Sequence, residues 1–144
     1  MTAYTETTER RLDIALLVLR VVLAAVFITH GYQKVFAYGF SGVTGMFTKM
    51  GVPLPTLVAP FISLLEFIGG IALLLGAFTR VVGFLLACDM LGAIILVHAK
   101  NGYAAPEGVE AVLGNFGMAV ALALLGAGAY SIDALLSRRR SSTP

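Results

Sequence analysis

Charge is what this chain has little of. Only 12% of its 144 residues are charged while 58% are hydrophobic, against about 25% charged in an ordinary soluble domain. So few charges cannot coat a water-facing surface, which excludes a soluble globule and leaves an integral membrane protein. Half of the ten basic and eight acidic residues fall in two terminal stretches, Glu6 to Asp13 and Asp133 to Arg140. Cysteine is scarcer still. Cys88 stands alone, which excludes an internal disulfide, a Cys-x-x-Cys redox pair and a cysteine-based zinc cluster. A basic stripe interleaved with aromatics is also missing. The net charge is only +2 and the bases sit at the ends, so nucleic acid is not an expected partner.

What is present is greasy sequence in long runs. Crossing the hydrocarbon as helix takes about 20 mostly apolar residues, and four segments qualify: Leu12 to Phe36, Leu57 to Phe78, Val81 to His98 and Val109 to Ala129. Gly and Pro mark the breaks, in "MGVPLP" and "NGYAAPEG". The expected fold is therefore all-α, an integral membrane four-helix bundle over residues 12–136. A tail over 1–11 and a basic tail over 137–144 flank it. Arg20 interrupts the first apolar run and no small-x-small cleavage site follows it, so that run reads as a retained helix rather than a signal peptide. Glycines and alanines, among them Gly69, Gly70, Ala72, Gly76, Gly114 and Gly117, offer faces for close helix packing.

Lysine and arginine near the span ends set the orientation. With both termini on one side, that side holds Arg10, Arg11, Arg80, Arg138, Arg139 and Arg140, and the other holds Lys34, Lys49 and Lys100. Both termini are expected on the cytoplasmic face of the inner membrane, with the Arg138–Arg140 run against anionic lipid. The first outer loop carries Phe40, Val43, Phe47 and Met50 at helical spacing, with Ser41 as a candidate N-cap and Gly51 as a stop. A short interfacial helix follows, lying at the outer surface or over the bundle as a lid.

Three ionisable residues lie inside spans: Arg20, Glu66 and Asp89. Counted from the cytoplasmic helix ends, Arg20 and Asp89 lie ~12 Å deep and Glu66 ~16 Å deep. A lone charge there costs ~2.5–3.5 kcal/mol on insertion scales. The expectation is a shared layer, Arg20 pairing with Glu66 and with Asp89 held protonated or hydrogen-bonded. It serves as polar glue or as a proton-handling catalytic cluster, in which one carboxyl titrates near neutrality because two acids face one base.

A second polar layer lies outward. His30 and His98 come to nearly one height, ~27 and ~25 Å from the cytoplasmic ends. Gln33, Lys34, Lys100 and Asn101 are close in sequence, and Glu110 and Asn115 come from the fourth span. The ligand-binding candidates are His30, Gln33, Lys34, His98 and Asn115. They could hydrogen-bond the carbonyls of a quinone, with Phe27, Phe61 or Tyr32 against its ring, or simply satisfy helix ends at the interface. Two histidines could also ligate haem, although no haem-attachment motif is present. A metal site of the histidines plus Glu110 has weaker support, and no metal is expected.

The stretches "LRVVLAAVFITHGYQKVF", "GVPLP", "LEFIGGIALLLGAFTRVVG" and "AGAYSID" resemble the DoxX family of small bacterial membrane proteins, across Leu12 to Asp133. The resemblance implies a four-helix cytoplasmic-membrane protein of oxidoreductase association. Its relatives are linked with thiosulfate:quinone oxidoreduction, with quinone and catechol stress, or with complexes of superoxide dismutase and a sulfurtransferase. The motif positions carried over are Arg20, His30, Lys34, Glu66, Gly70, Thr79 and Arg80; no catalytic mechanism transfers with them. The expected function is a small redox-associated subunit binding quinone or a similar lipophile near the outer leaflet. The alternatives are a scaffold docking a soluble redox partner on its cytoplasmic side and a small-solute transporter. Four helices are few for transport unless the chain forms a homo-oligomer, and no inverted repeat supports it.

Overall fold

The structure is a computed structural model that describes residues 2–104 and 106–141, and every regular element in it is helical. Helix α1 (Thr2–Tyr32) runs on through a wide π turn, Gln33–Ala37. Helix α2 (Gly39–Met50) follows, then α3 (Pro55–Leu75) and α4 (Thr79–Ala93). A second π turn, Ile94–His98, and a 3-10 turn, Ala99–Asn101, extend α4. Helices α5 (Val109–Leu125) and α6 (Ile132–Ser141) complete the chain. Three continuous helical stretches are long and apolar enough to cross a membrane: Glu6–Ala37, Pro55–Leu75 and Thr79–Asn101. The 17 residues of α5 are apolar but shorter. Residues 1 and 142–144, at the edges of the two expected tails, lie outside the described residues. The rest of the N-terminal tail is the first turns of α1, and α6 takes up most of the C-terminal one.

The helices associate by close approach where side chains are small. A Cβ on Gly31 would fall 2.3 Å from the backbone nitrogen of Phe67, and one on Gly70 would fall 2.9 Å from that of Ile28. So α1 and α3 touch backbone to backbone, as expected where lipid supplies no hydrophobic drive. Gly83 does the same for α4 on α5, 2.9 Å from the Ala123 nitrogen. Helix α5 closes back on α1. The apolar centre is Leu23, Ala24, Phe27, Leu73, Leu86 and Leu122, with Met90 and Ala119. Gly114 and Gly117 are not part of this: nothing lies within 4 Å of a Cβ built on either.

The expected boundaries shift for local reasons. Helix α3 stops at Leu75 because Gly76 takes a left-handed conformation (φ 68) and its N–H bonds to Leu73 O at 3.0 Å. Helix α5 stops at Leu125, four residues short of Ala129, because Gly126 (φ 85) turns the chain out. Helix α2 starts at Gly39 with no side-chain cap, so Ser41 is a residue of its first turn and not its N-cap. Gly51 ends it in the left-handed conformation at φ 78.

Asp13 of α1, the α3–α4 turn and the start of α6 gather at one end of the molecule, held by polar contacts that cross between helices. Phe78 is left-handed (φ 51), an uncommon state for an aromatic residue. Its N–H and that of Thr79 donate to the two carboxylate oxygens of Asp133, at 2.8 and 2.9 Å. Asp133 thus caps α4 from α6, where α4 has no side-chain cap of its own. The Asp133 N–H donates in return to Gly76 O at 2.9 Å. Asp13 accepts from Ala129 N–H at 2.8 Å, tying α1 to the same turn. The "AGAYSID" stretch is a clasp.

Candidate functional site

Arg20 belongs to that clasp and not to a shared layer with Glu66. Its guanidinium is buried, 1% exposed, and donates to the carbonyls of Leu73, at 3.4 Å, and Tyr130. Leu73 O is among the last carbonyls of α3, where the helix dipole presents partial negative charge, and Asp133 supplies the opposing full charge. Gly76 makes room, since a Cβ there would fall 2.1 Å from Arg20 Nη1. Glu66 is seven residues up α3 from Leu73, ~10 Å away along the axis. Counting depth from helix ends placed the two residues on one level. The ends are staggered, so the expected Arg20–Glu66 pair does not form.

Glu66 pairs with Lys34 instead. Lys34 Nζ donates to both carboxylate oxygens, with the two side chains 19% and 4% exposed. Two features of α1 bring the ammonium there. Helical side chains tilt toward the N-terminus, so the lysine arm reaches down the helix into the molecule and not out to the interface. Lys34 also lies in the first π turn, and π turns recur at functional sites. Asp89 on α4 completes the cluster. It lies within hydrogen-bonding reach of Glu66 and feels the Lys34 charge, and its Oδ2 is buried with no hydrogen-bond partner.

These three residues sit in the wall of a cavity of about 630 Å³ between the α1–α3 pair and the α4–α5 pair. His30, His98 and Asn115 line it as well. Six of the eight residues marked out from the sequence thus meet in one space, drawn from α1, α3, α4 with its extension, and α5. Gln33 is exposed and outside the lining, and Arg20 is at the far end. The rest of the wall is apolar, including Phe27, Phe61, Ile62, Leu65 and Met90. Phe47 and Met50 of α2 line the cavity too. Tyr32 does not. It packs with Phe36 and Phe67 in an exposed aromatic cluster, ring centroids 5.1 and 6.5 Å away.

His98 is oriented by the loop beyond it. Its Nδ1 is 2.7 Å from Glu107 O, and Asn101 donates to the same carbonyl at 3.1 Å. A carbonyl only accepts, so Nδ1 carries the hydrogen and Nε2 is the nitrogen left to take one. Glu110 is exposed and outside the cavity lining. Among the described residues no group of three or more His, Cys, Asp or Glu side chains is arranged to hold a metal ion, so the two-histidine-plus-Glu110 site does not assemble. A second cavity, about 360 Å³, lies beside the clasp; of its polar lining residues Thr79, Arg80, Ser131, Asp133 and Ser137, Ser131 and Asp133 are engaged in capping. Sequence reasoning missed Cys88, which lines the larger cavity beside Asp89; its place next to an intramembrane acid was the available signal.

The sequence profile of DoxX matches residues 15–99. This chain belongs to the DoxX family. It is 34% identical over 132 residues to "Inner membrane protein YqjF" of Escherichia coli, covering 88% of this chain and 95% of that protein. It is 37% identical over 93 residues to "Putative oxidoreductase CatD" of Bacillus subtilis, covering 64% of this chain and 66% of that one. "Inner membrane protein YphA" of Escherichia coli is 30% identical over 126 residues, 83% and 89% of the two chains. No solved structure matches. As a DoxX protein with several long apolar helices, the chain is a membrane protein.

Proposed function

We propose that this DoxX protein binds the polar head of a quinone, or of a lipophile like it, in the 630 Å³ cavity, as a redox-associated component of the inner membrane. The observation that carries this reading is the convergence of His30, Lys34, Glu66, Asp89, His98 and Asn115 on one apolar-walled space. A flat ring with oxygens at its two ends suits such a site, with apolar contact on its faces and donors or acceptors at its edges. Phe27 and Phe61 supply the faces. His30 and His98 are the edge contacts at the outer end, and the Lys34–Glu66–Asp89 cluster is the inner one. Two acids against one base leave the cluster neutral when one proton is held between the carboxyls. That proton is available for exchange with a bound head group, and the name of CatD makes a redox setting the natural one.

In this reading α5 spans the bilayer with the three longer stretches, since its 17 residues rise ~25 Å against a hydrocarbon core of about 30 Å. Helix α2 lies at the outer interface over the cavity. The termini face the cytoplasm: Arg10, Arg11, Arg80, Arg138 and Arg139 are exposed at their end, while Lys34 is withdrawn into its pair and only Lys49 and Lys100 remain exposed at the other.

The test is equilibrium binding of a quinone analogue to purified protein in lipid nanodiscs. Saturable binding is expected, weakened at least tenfold, ~1.4 kcal/mol, by His98→Ala and by Lys34→Met. Absence of saturable binding to the wild-type protein would end the proposal.

A further inference from the structure

The cavity has a side facing the membrane. Helices α3 and α4 leave their shared turn in contact, with Gly69 seated against Val82 and Leu86; a Cβ on Gly69 would lie 3.2 Å from Val82 Cγ1. Beyond that contact residues of both helices line the cavity, Phe61, Ile62 and Leu65 from α3 and Leu85, Cys88 and Asp89 from α4. Its lining there is also exposed on the molecular surface: Phe61, 58% exposed, on the α3 side, and Leu85, Cys88 and Leu96 on α4 and its extension. Gly92 is in the same frame, and a Cβ built on it meets nothing within 4 Å. These positions fall within Pro55–Leu75 and Thr79–Asn101, the stretches fit to cross the membrane. Around them the surface is hydrocarbon: Leu64, Ile68, Val81 and Phe84 are all exposed. The opening therefore faces acyl chains and not water.

We infer that the cavity is loaded sideways from the bilayer, through a portal between α3 and α4 framed by Phe61, Leu85, Cys88, Gly92 and Leu96. Its ligand is a tailed amphiphile whose ring lies inside while its hydrocarbon chain stays in the portal. This rests on the proposed function and narrows it. A water-soluble ring compound lacks the part of the molecule that the frame contacts. Phe47 and Met50 of α2 line the cavity on its outer side. Apolar walls that continue into an apolar surface suit a chain that need not leave lipid, so little desolvation cost attaches to its passage.

Gly92→Leu is the direct test. A leucine there fills open space in the portal one helical turn beyond Asp89, where an added Cβ meets nothing within 4 Å, and replaces a helix-interior glycine by a better helix former. Binding of a long-chain quinone analogue and of its tail-less ring counterpart is measured on the wild type and the variant in nanodiscs. The inference expects the tailed ligand to lose at least tenfold in affinity while the tail-less ring changes less than twofold. Equal loss for both, or no loss for either, overturns it. If the wild-type protein binds neither ligand, the quinone reading itself has failed, an outcome separate from these.

Cys88 gives a second measurement that does not depend on the variant folding. It is the only cysteine in the chain, so modification is unambiguous. In sealed vesicles a membrane-permeant maleimide should label Cys88, a charged thiosulfonate should not, and the tailed ligand should slow the labelling. Rapid modification by the charged reagent would place the opening in water and overturn the portal.

Discussion

Lys34 and Arg20 are both cations within apolar helix, yet they answer to different partners and should fail differently. Lys34 faces a buried carboxylate, so Lys34→Met leaves Glu66 charged or protonated without its partner. Breaking a buried pair from one side costs roughly 3–5 kcal/mol, and thermal unfolding in detergent should show a marked drop. The double variant Lys34→Met with Glu66→Leu should recover most of that loss, because an apolar pair of similar volume no longer carries an uncompensated charge. Neither variant should hold the quinone analogue. Arg20 stabilises the clasp through Leu73 O and Tyr130 O. Arg20→Met should therefore lower stability as well, but binding in the cavity should change by less than twofold where the variant folds. A tenfold loss of affinity in Arg20→Met would mean that the clasp and the cavity act as one unit.

Helices meet here at particular glycines, and those are the positions to change. At Gly31 and Gly70 an added side chain enters the backbone of the facing helix, so Gly31→Leu should prevent α1 from seating on α3 and abolish recovery of folded protein in detergent. Gly114→Ala and Gly117→Ala meet open space and should be neutral or stabilising by up to about 1 kcal/mol, the difference in helix propensity. The same chromatographic yield and melting measurements separate the two sets. This contrast also shows where sequence reading reaches and where it stops. Long apolar runs interrupted by Gly and Pro were enough to place the three long apolar helices, and the small residues of α3 stood out as a packing face. Nothing in the sequence said that Gly31 of α1 would be the residue meeting Phe67, or that the glycines of α5 would face away. Rotation of one helix against another is decided by the whole assembly. The cluster was legible to the same extent. Glu66, Asp89 and the two histidines were marked by being polar within apolar sequence, but Arg20 was expected as the partner of the acids and Lys34 takes that place. Stagger between helix ends and the backward tilt of a lysine arm are both absent from a count of residues.

The molecule as a whole is asymmetric from end to end, and that asymmetry sets which way the cavity faces. One end carries the exposed arginines and the clasp of α6 on α3, α4 and α1. The opposite end carries α2 and the loop ordered by His98 and Asn101 on Glu107 O. Retention of lysine and arginine on the cytoplasmic side acts on charges free at the surface during insertion. In the folded molecule Lys34 is paired with Glu66, so the bases left exposed are divided still more unevenly between the two ends. The cavity, which lies toward the α2 end, should then serve the outer leaflet. Single-cysteine variants in a Cys88→Ala background check this directly. Glu9→Cys places a thiol on an exposed residue at the terminal end. Gly45→Cys places one on α2, where an added Cβ meets nothing within 4 Å. In intact cells a membrane-impermeant maleimide should label the Gly45→Cys protein promptly and the Glu9→Cys protein only after the membrane is opened. The reverse pattern would turn the molecule over and put the cavity in the cytoplasmic leaflet. Labelling of both in intact cells would point to two orientations in one membrane, the outcome expected where too few bases separate the two ends.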